Sequence, residues 1–168
     1  AGVDFGIANP SAIVVDGIDG EGRRYILDEF YQAGCSEERL CQEAARLTWQ
    51  YWIQYFFCDT ADPRWIRALR TAGLPALRAN KRVGSPTDIS SGIGLCTRAL
   101  TRKIGKKEEQ GFFVNPGCRN FIREIENYIR EGPKDGKNLL EQPRKYGDHA
   151  LDALVAKLVG AALESDDK

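Results

Sequence analysis

The chain opens with three strand-like segments and then changes to a helical pattern, which limits it to folds that combine a sheet with helices. Val3, Phe5 and Ile7 alternate with small or polar residues, as in a half-buried strand. After a turn signal, residues 12–18 form a second strand-like segment, and a glycine-containing turn leads to a third strand at residues 24–31. Three antiparallel strands followed by helices predict an α/β layer fold.

The rest of the chain alternates helical periods with short apolar runs. The run at residues 53–58 is continuous, which is typical of a central strand buried on both faces. Residues 132–144 contain prolines and glycines among polar residues, which indicates a loop or mobile flap. The predicted helices cover residues 36–51, 62–72, 85–103, 118–130 and 148–163, and the further strands cover residues 53–58, 77–80 and 111–115.

The composition predicts one globular domain without a membrane span. A length of 168 residues is enough for a normal core, and no apolar stretch approaches the roughly 18 residues of a membrane helix. The five cysteines are odd in number and form no C-x-x-C pair, which favours reduced thiols over disulfides or a zinc site. Because there is no methionine, we expect the chain to be a piece of a larger protein.

Two aspartates lie in or at the end of predicted strands. Asp4 lies between Gly2 and Gly6, which would allow a backbone or ligand to approach closely, although strand alternation also allows an exposed Asp4. Asp59 follows the apolar run at residues 53–58, and ligands collect at the carboxyl ends of strands in open α/β sheets. A turn acid before the next helix is the alternative for Asp59. Carboxylates from separate elements suit magnesium, so both are candidate metal ligands.

Further candidates begin the last predicted helix. Asp148 and Asp152 are four residues apart, and His149 and Asp152 are three apart, so all three share one helical face. An N-cap role can also explain Asp148, whereas Asp152 lies beyond the cap among alanines and leucines. His149 is the only histidine. Beside carboxylates it is a candidate for proton transfer or phosphate contact, and a structural role is the alternative.

The net charge is zero, but basic residues are concentrated in one stretch. Residues 78–107 carry eight lysines and arginines against a single acid, Asp88. Such a stretch fits either a face that contacts phosphates or an exposed helix surface. The candidate DNA-binding residues in it are Lys81, Arg82, Arg98, Arg102 and Lys103.

Four short segments together resemble the C-terminal nuclease domain of large terminase subunits, the DNA-packaging proteins of tailed bacteriophages and herpes-like viruses. They are the opening G-V-D-F-G-I-A-N-P-S-A, the middle F-F-C-D-T-A-D-P, then R-A-N-K, and finally D-H-A-L-D-A-L. They keep the order of the family and span nearly the whole chain. Residue by residue, the three family acids match Asp4, Asp59 and Asp152, His149 matches a histidine of some members, and Lys81 matches a frequent lysine.

The resemblance implies an RNase H-like mixed β-sheet, with an antiparallel opening meander and parallel strands, flanked by α-helices. It also implies a metal-dependent endonuclease that hydrolyses duplex DNA with two divalent metal ions, Mg²⁺ or Mn²⁺. Asp4 would bridge the two ions, Asp59 and Asp152 would each complete one, and Asp148 would be a fourth member that reaches metal through water. Contacts to phosphates do not read bases, so little sequence preference is expected.

The resemblance also implies partners beyond this chain. No G-x-x-x-x-G-K-[ST] motif occurs, so residues 1–168 are expected to be a single nuclease domain from a protein with an N-terminal ATPase domain. The expected partners are double-stranded DNA, the portal and a small terminase subunit, and no membrane. The expected location is the cytoplasm of the infected host cell, where the nuclease would cut concatemeric viral DNA.

Three other functions fit parts of the sequence. A Holliday-junction resolvase or a transposase-type recombinase has the same fold and similar acids. The opening segment also resembles the phosphate-binding hairpin of sugar kinases and actin-like ATPases, but that fold needs about twice this length. A module that binds DNA or a partner without cutting is the third alternative.

Overall fold

The structure is a computed structural model that describes residues 1–59, 63–79, 92–101, 103–104, 109–127 and 147–166. Strands and helices alternate along most of this length. The elements, in chain order, are β1 (Gly2–Asp4), β2 (Pro10–Ile18), β3 (Arg24–Ala33), α1 (Glu37–Tyr51), β4 (Phe56–Asp59), α2 (Pro63–Thr71), β5 (Ala76–Ala79), α3 (Gly92–Thr101), β6 (Lys103–Ile104), β7 (Glu109–Gln110), β8 (Phe112–Val114), α4 (Arg119–Glu126) and α5 (His149–Asp166).

Six strands form one mixed sheet in the order β5-β4-β1-β2-β3-β8. β2 is antiparallel to both of its neighbours, β1 and β3, as the turn signals predicted. β4 lies parallel to β1, β5 parallel to β4, and β8 parallel to β3. The predicted fold class, a mixed sheet that opens with an antiparallel meander and is flanked by helices, is confirmed. The small antiparallel pair β6–β7 was not predicted.

Helices cover both faces of the sheet. Residues of α1 and α2 pack with Val3 and Cys58 on one face, and residues of α3, α4 and α5 pack with Ala12 and Val14 on the other. β1 is therefore buried on both faces, so the half-buried strand expected from its alternation is wrong. Ile7 is 68% exposed, because the strand ends at Asp4 before it reaches this residue.

α1 begins where its sequence predicts. The Ser36 hydroxyl oxygen accepts a hydrogen bond from the backbone N–H of Arg39 at 3.1 Å, as an N-cap does. The helix ends at Tyr51, after which Trp52 adopts a left-handed conformation with φ 55° and its N–H donates to the Thr48 carbonyl oxygen. Local capping thus fixes both ends of a helix that carries no candidate site residue.

α5 packs unusually close to the centre of the sheet. A Cβ atom built on Gly2 would lie 1.9 Å from the carbonyl oxygen of Ala153. One built on Gly160 would lie 2.2 Å from the Phe57 ring. Glycine at both positions lets the helix backbone and the strands approach to a distance that no other side chain permits.

A buried ion pair also ties α5 to the sheet. Lys157 Nζ donates to Asp16 Oδ2 at 2.8 Å, and the Arg24 guanidinium donates to the same oxygen. The Asp16 side chain is only 1% exposed. Burial lowers the pKa of Lys157, and the pairing with Asp16 offsets part of this cost.

Several sequence boundaries differ from the structure. The helix predicted to reach residue 103 ends at Thr101 among the described residues, and Lys103 lies in β6. The segment predicted as a loop, residues 132–144, lies outside the described residues. All five cysteines are free, as predicted. None of the helices in the described ranges is long and apolar enough to cross a membrane.

The close approach of α5 predicts a large cost for a methyl group at Gly2. We expect Gly2→Ala to lower the free energy of unfolding by about 2–3 kcal/mol, because the helix or strand must move to admit it. Gly20 lies in the β2–β3 turn with nothing within 4 Å of a built Cβ, so Gly20→Ala should change this free energy by less than about 0.5 kcal/mol. Urea denaturation of both variants tests the prediction, and equal stabilities would contradict it.

Candidate active site

A row of residues in register across the sheet contains both strand aspartates. Asp4 pairs with Ala12, and Ala12 pairs with Tyr31 on the next strand. On the other side of β1, Val3 pairs with Cys58 of the parallel strand β4. The residues that follow them, Asp4 and Asp59, are therefore also neighbours. Strand neighbours in register point to the same face. The row therefore directs Asp4 and Asp59 together toward the face that α5 covers.

Asp4 is buried, with 7% of its surface exposed. The alternative of an exposed acid on an amphipathic strand is therefore wrong. Its carboxylate oxygen Oδ2 lies 3.1 Å from Nδ1 of His149, which is the first residue of α5. A carboxylate oxygen accepts, so Nδ1 of the ring donates, and this contact fixes the orientation of the imidazole.

α5 places Asp152 one turn beyond His149. The two residues are three apart and share a helical face, and this face approaches Asp4 through His149. Asp152 is partly buried in the first turn, where the helix dipole favours an acid. Asp148 immediately precedes the helix, and its carbonyl oxygen accepts from the Asp152 N–H at 2.7 Å. This bond suits the N-cap interpretation of Asp148.

The structure brings the predicted residues together only in part. Asp4 and His149 are in direct contact, and Asp59 and Asp152 lie on the two elements next to Asp4. Within the described ranges, however, no group of three or more His, Cys, Asp or Glu side chains is close enough to hold a metal ion.

The predicted DNA-binding residues are described only in part. Arg98 is exposed on α3, which packs against α5 on the same face of the sheet as Asp4. Lys103 lies in β6, where only its backbone is described. Lys81, Arg82 and Arg102 lie outside the described residues. Their role in DNA binding stays a prediction.

Two residues beside the site were missed by the sequence reasoning. Glu124 of α4 is 3% exposed, and its Oε2 accepts from the backbone N–H groups of Ala150 and Leu151 at 2.7 and 3.1 Å. Tyr31 lies with its ring centroid 6.2 Å from that of His149. The sequence contains one local signal for the burial of Glu124, which lies three residues after Phe121 on the apolar stripe of α4.

The N-terminus of α5 offsets part of the cost of burying the Glu124 carboxylate. Burial raises the pKa of the Glu124 carboxyl, while the Tyr31 hydroxyl and the N–H groups of Leu151 and Ala150 act in the opposite direction. These N–H groups are among those that a helix N-terminus leaves without a partner inside the helix. The carboxylate is thus held where the positive end of the α5 dipole stabilises it.

The same arrangement of elements occurs in solved structures of known proteins. The large terminase of a thermophilic bacteriophage superposes with a TM-score of 0.73 at 22% identity, over 96% of this chain and 39% of its own. The large terminase nuclease domain of bacteriophage SPP1, with bound Mn, gives a TM-score of 0.68 at 24% identity, over 98% of this chain and 84% of its own. The large terminase nuclease of the thermophilic phage G20c, with bound magnesium, gives a TM-score of 0.66 at 18% identity, over 94% of this chain and 78% of its own.

The chain has the fold of a large terminase nuclease domain. This is the RNase H-like fold that the sequence resemblance implied, and it extends over almost all of the chain. Comparison by sequence finds no matching family model and no matching curated protein. The likeness to terminase nucleases is therefore carried by the structure and by the four short segments.

Proposed function

We propose that this domain is the metal-dependent endonuclease of a phage large terminase and cleaves concatemeric double-stranded DNA during genome packaging. The observation that carries the proposal is the buried Asp4, which contacts His149 at the start of α5 and has Asp59 beside it, within a terminase nuclease fold. Burial of a carboxylate in a central strand costs free energy unless the group is paired, and a metal-binding role would explain an acid at this position.

The donor set fits a hard divalent cation. Asp4, Asp59 and Asp152 offer carboxylate oxygens from three separate elements, which suits Mg²⁺ or Mn²⁺ better than a thiolate-binding metal. The carboxylates of Asp59 and Asp152 would turn toward Asp4 to hold the ions. Asp148 would join them through water. The bound metals of the SPP1 and G20c nucleases support this choice.

Each residue would then have its own role in phosphodiester hydrolysis. Two divalent ions, when bound, supply charge neutralisation and a more acidic water for attack on phosphorus. Asp4, Asp59 and Asp152 would hold these ions. Asp4 orients the imidazole of His149 through Nδ1, which leaves Nε2 to donate to or accept from a phosphate or water.

Duplex DNA is the proposed substrate. The basic side chains Lys81, Arg82, Arg98, Arg102 and Lys103 would contact the phosphate backbone, of which Arg98 is exposed on the α5 side of the sheet. Backbone contacts position DNA without reading its sequence, so we expect cleavage with little base preference.

We propose that residues 1–168 act within a longer protein. The chain spans 39% of the length of the thermophilic phage terminase. The remainder would include an ATPase domain that drives DNA translocation, and the assembled protein would work with a portal and a small terminase subunit. The nuclease would then cut at the start and the end of head filling.

The nearest rival is a Holliday-junction resolvase on the same fold. A terminase nuclease should cut linear duplex as readily as a four-way junction of the same sequence, whereas a resolvase should prefer the junction. Cleavage of the two labelled substrates, run side by side with Mn²⁺, separates these functions. Strict junction preference would contradict the terminase proposal.

Plasmid nicking is the first prediction of this function. With Mn²⁺ or Mg²⁺ the wild type should nick and linearise supercoiled plasmid, and EDTA should stop the reaction. Asp4→Asn and Asp152→Asn should each lower the rate by more than about 100-fold, since even outer partners of a metal contribute about 10- to 100-fold. Glu38→Gln is the matched control, because Glu38 is an exposed acid on α1. Activity that survives Asp152→Asn would move the third ligand to Asp148.

Metal binding should also stabilise the folded domain. A cation at 100 times its dissociation constant adds about 2.7 kcal/mol, which raises the melting temperature by about 5–10 °C in a domain of this size. We expect millimolar Mn²⁺ to produce this increase in the wild type and much less in Asp59→Asn. Thermal denaturation with and without Mn²⁺ measures it, and an unchanged wild-type curve would count against a metal site.

DNA affinity should depend on salt through the basic residues. Lys81→Ala and Arg98→Ala should each weaken binding and reduce the slope of log affinity against log salt by about 0.9, because each lysine or arginine releases about one counterion. Arg67 is exposed on α2, on the opposite face of the sheet, so Arg67→Ala should leave the slope unchanged. Fluorescence anisotropy in EDTA provides the measurement, and an unchanged slope removes that residue from the DNA contacts.

A further inference from the structure

Glu124 joins α4 to the first turn of α5 at the point where α5 enters the candidate site. Its Oε2 accepts from Ala150 N at 2.7 Å and from Leu151 N at 3.1 Å. These two residues lie between His149, which contacts Asp4, and Asp152. A single carboxylate oxygen from another helix therefore holds the segment that carries two of the candidate catalytic residues.

α4 is itself fixed to the sheet by a second carboxylate. Glu29 of β3 accepts from Asn120 N at 2.7 Å through Oε1 and from Phe121 N at 2.8 Å through Oε2. Its Oε1 also accepts from the Asn120 side chain at 2.9 Å. Two successive carboxylate contacts with helix N-termini thus connect the start of α5 to β3, a strand of the same sheet that carries Asp4.

Packing alone does not require a carboxylate at position 124. The residue is 3% exposed and lies on the apolar stripe of α4 next to Phe121, where a methionine of similar volume would fill the same space. A buried acid is costly at such a position. The carboxylate binds the two N–H groups of α5 and also interacts with the Tyr31 hydroxyl, and no apolar side chain can do either.

We propose that Glu124 is a positioning residue, which sets where α5 begins and thereby holds His149 against Asp4 and Asp152 in place for metal binding. This role rests on the proposed nuclease function. Glu124 touches neither substrate nor metal, and it acts through the backbone of Ala150 and Leu151. Without it, the first turn of α5 frays, and the two side chains lose their common position.

A graded series of variants tests the role. Glu124→Met removes the acceptor at nearly constant volume, and Glu124→Gln keeps a neutral acceptor. Glu124→Met should lower the Mn²⁺-dependent nicking rate by about tenfold or more, as loss of an outer partner does. The nicking rate of Glu124→Gln should lie between those of the wild type and Glu124→Met, because a charged acceptor makes roughly twice as strong a hydrogen bond as a neutral one.

Ser36→Ala is the matched control for helix capping. It removes the N-cap of α1, which lies on the opposite face and carries no site residue. Destabilisation alone would act in the same way in both variants, so the Ser36→Ala rate should stay within about twofold of wild type at a temperature where all variants are folded. An equal loss of rate in Ser36→Ala and Glu124→Met would overturn the proposal.

NMR provides a measurement that needs no nuclease activity. The chain has one histidine, so a single set of imidazole signals reports on His149. At fixed pH and without metal, these signals in Glu124→Met should move toward those of Asp4→Ala, where the contact is absent. They should stay unchanged in Ser36→Ala.

The two measurements separate failure of this role from failure of the nuclease. If the wild type does not nick DNA, the proposed function fails, and the His149 signals alone decide the role of Glu124. Unmoved His149 signals in a folded Glu124→Met would overturn it. If Glu124→Met does not fold, Glu124→Gln decides, and wild-type signals together with a wild-type rate in that variant would overturn the proposal.

Discussion

The close packing of α5 on the centre of the sheet is the contact on which the rest of the structure depends. Gly2 leaves room for the backbone of Ala153, and Gly160 leaves room for the Phe57 ring. At the same interface, Lys157 pairs with the buried Asp16. The helix is therefore held along its length, and its first turn lies at the end of β1, beside Asp4.

Small residues beside the acids let α5 lie close to the row that contains them. In this row, Ala79 flanks Asp59 and Ala12 flanks Asp4. Both alanines are fully buried and pack with residues of α5. An alanine side chain extends little above the sheet, so the helix can approach the strands here. Tyr31 ends the row beside His149.

Local sequence signals predicted most of the elements, and long-range contacts account for most of what was missed. The meander, the helix that begins after Ser36 and the buried strand before Asp59 all follow from periodicity and turn residues close in sequence. The burial of β1 on both faces depends on α5, and the alternation of residues around Asp4 cannot predict a contact with a helix so distant in sequence. Glu124 was missed for the same reason, since its partners at the start of α5 lie 26 and 27 residues away.

The contact between His149 and Asp4 spans 145 positions of the sequence. A contact between residues so far apart in sequence forms late, since the intervening chain must first be synthesised and brought back to the sheet. During translation, β1 to β4 leave the ribosome well before α5, and domains fold as units while they emerge. A nascent chain that contains all six strands of the sheet therefore still lacks the helix that brings His149 to Asp4, and this contact becomes possible only once the polypeptide through α5 has been made.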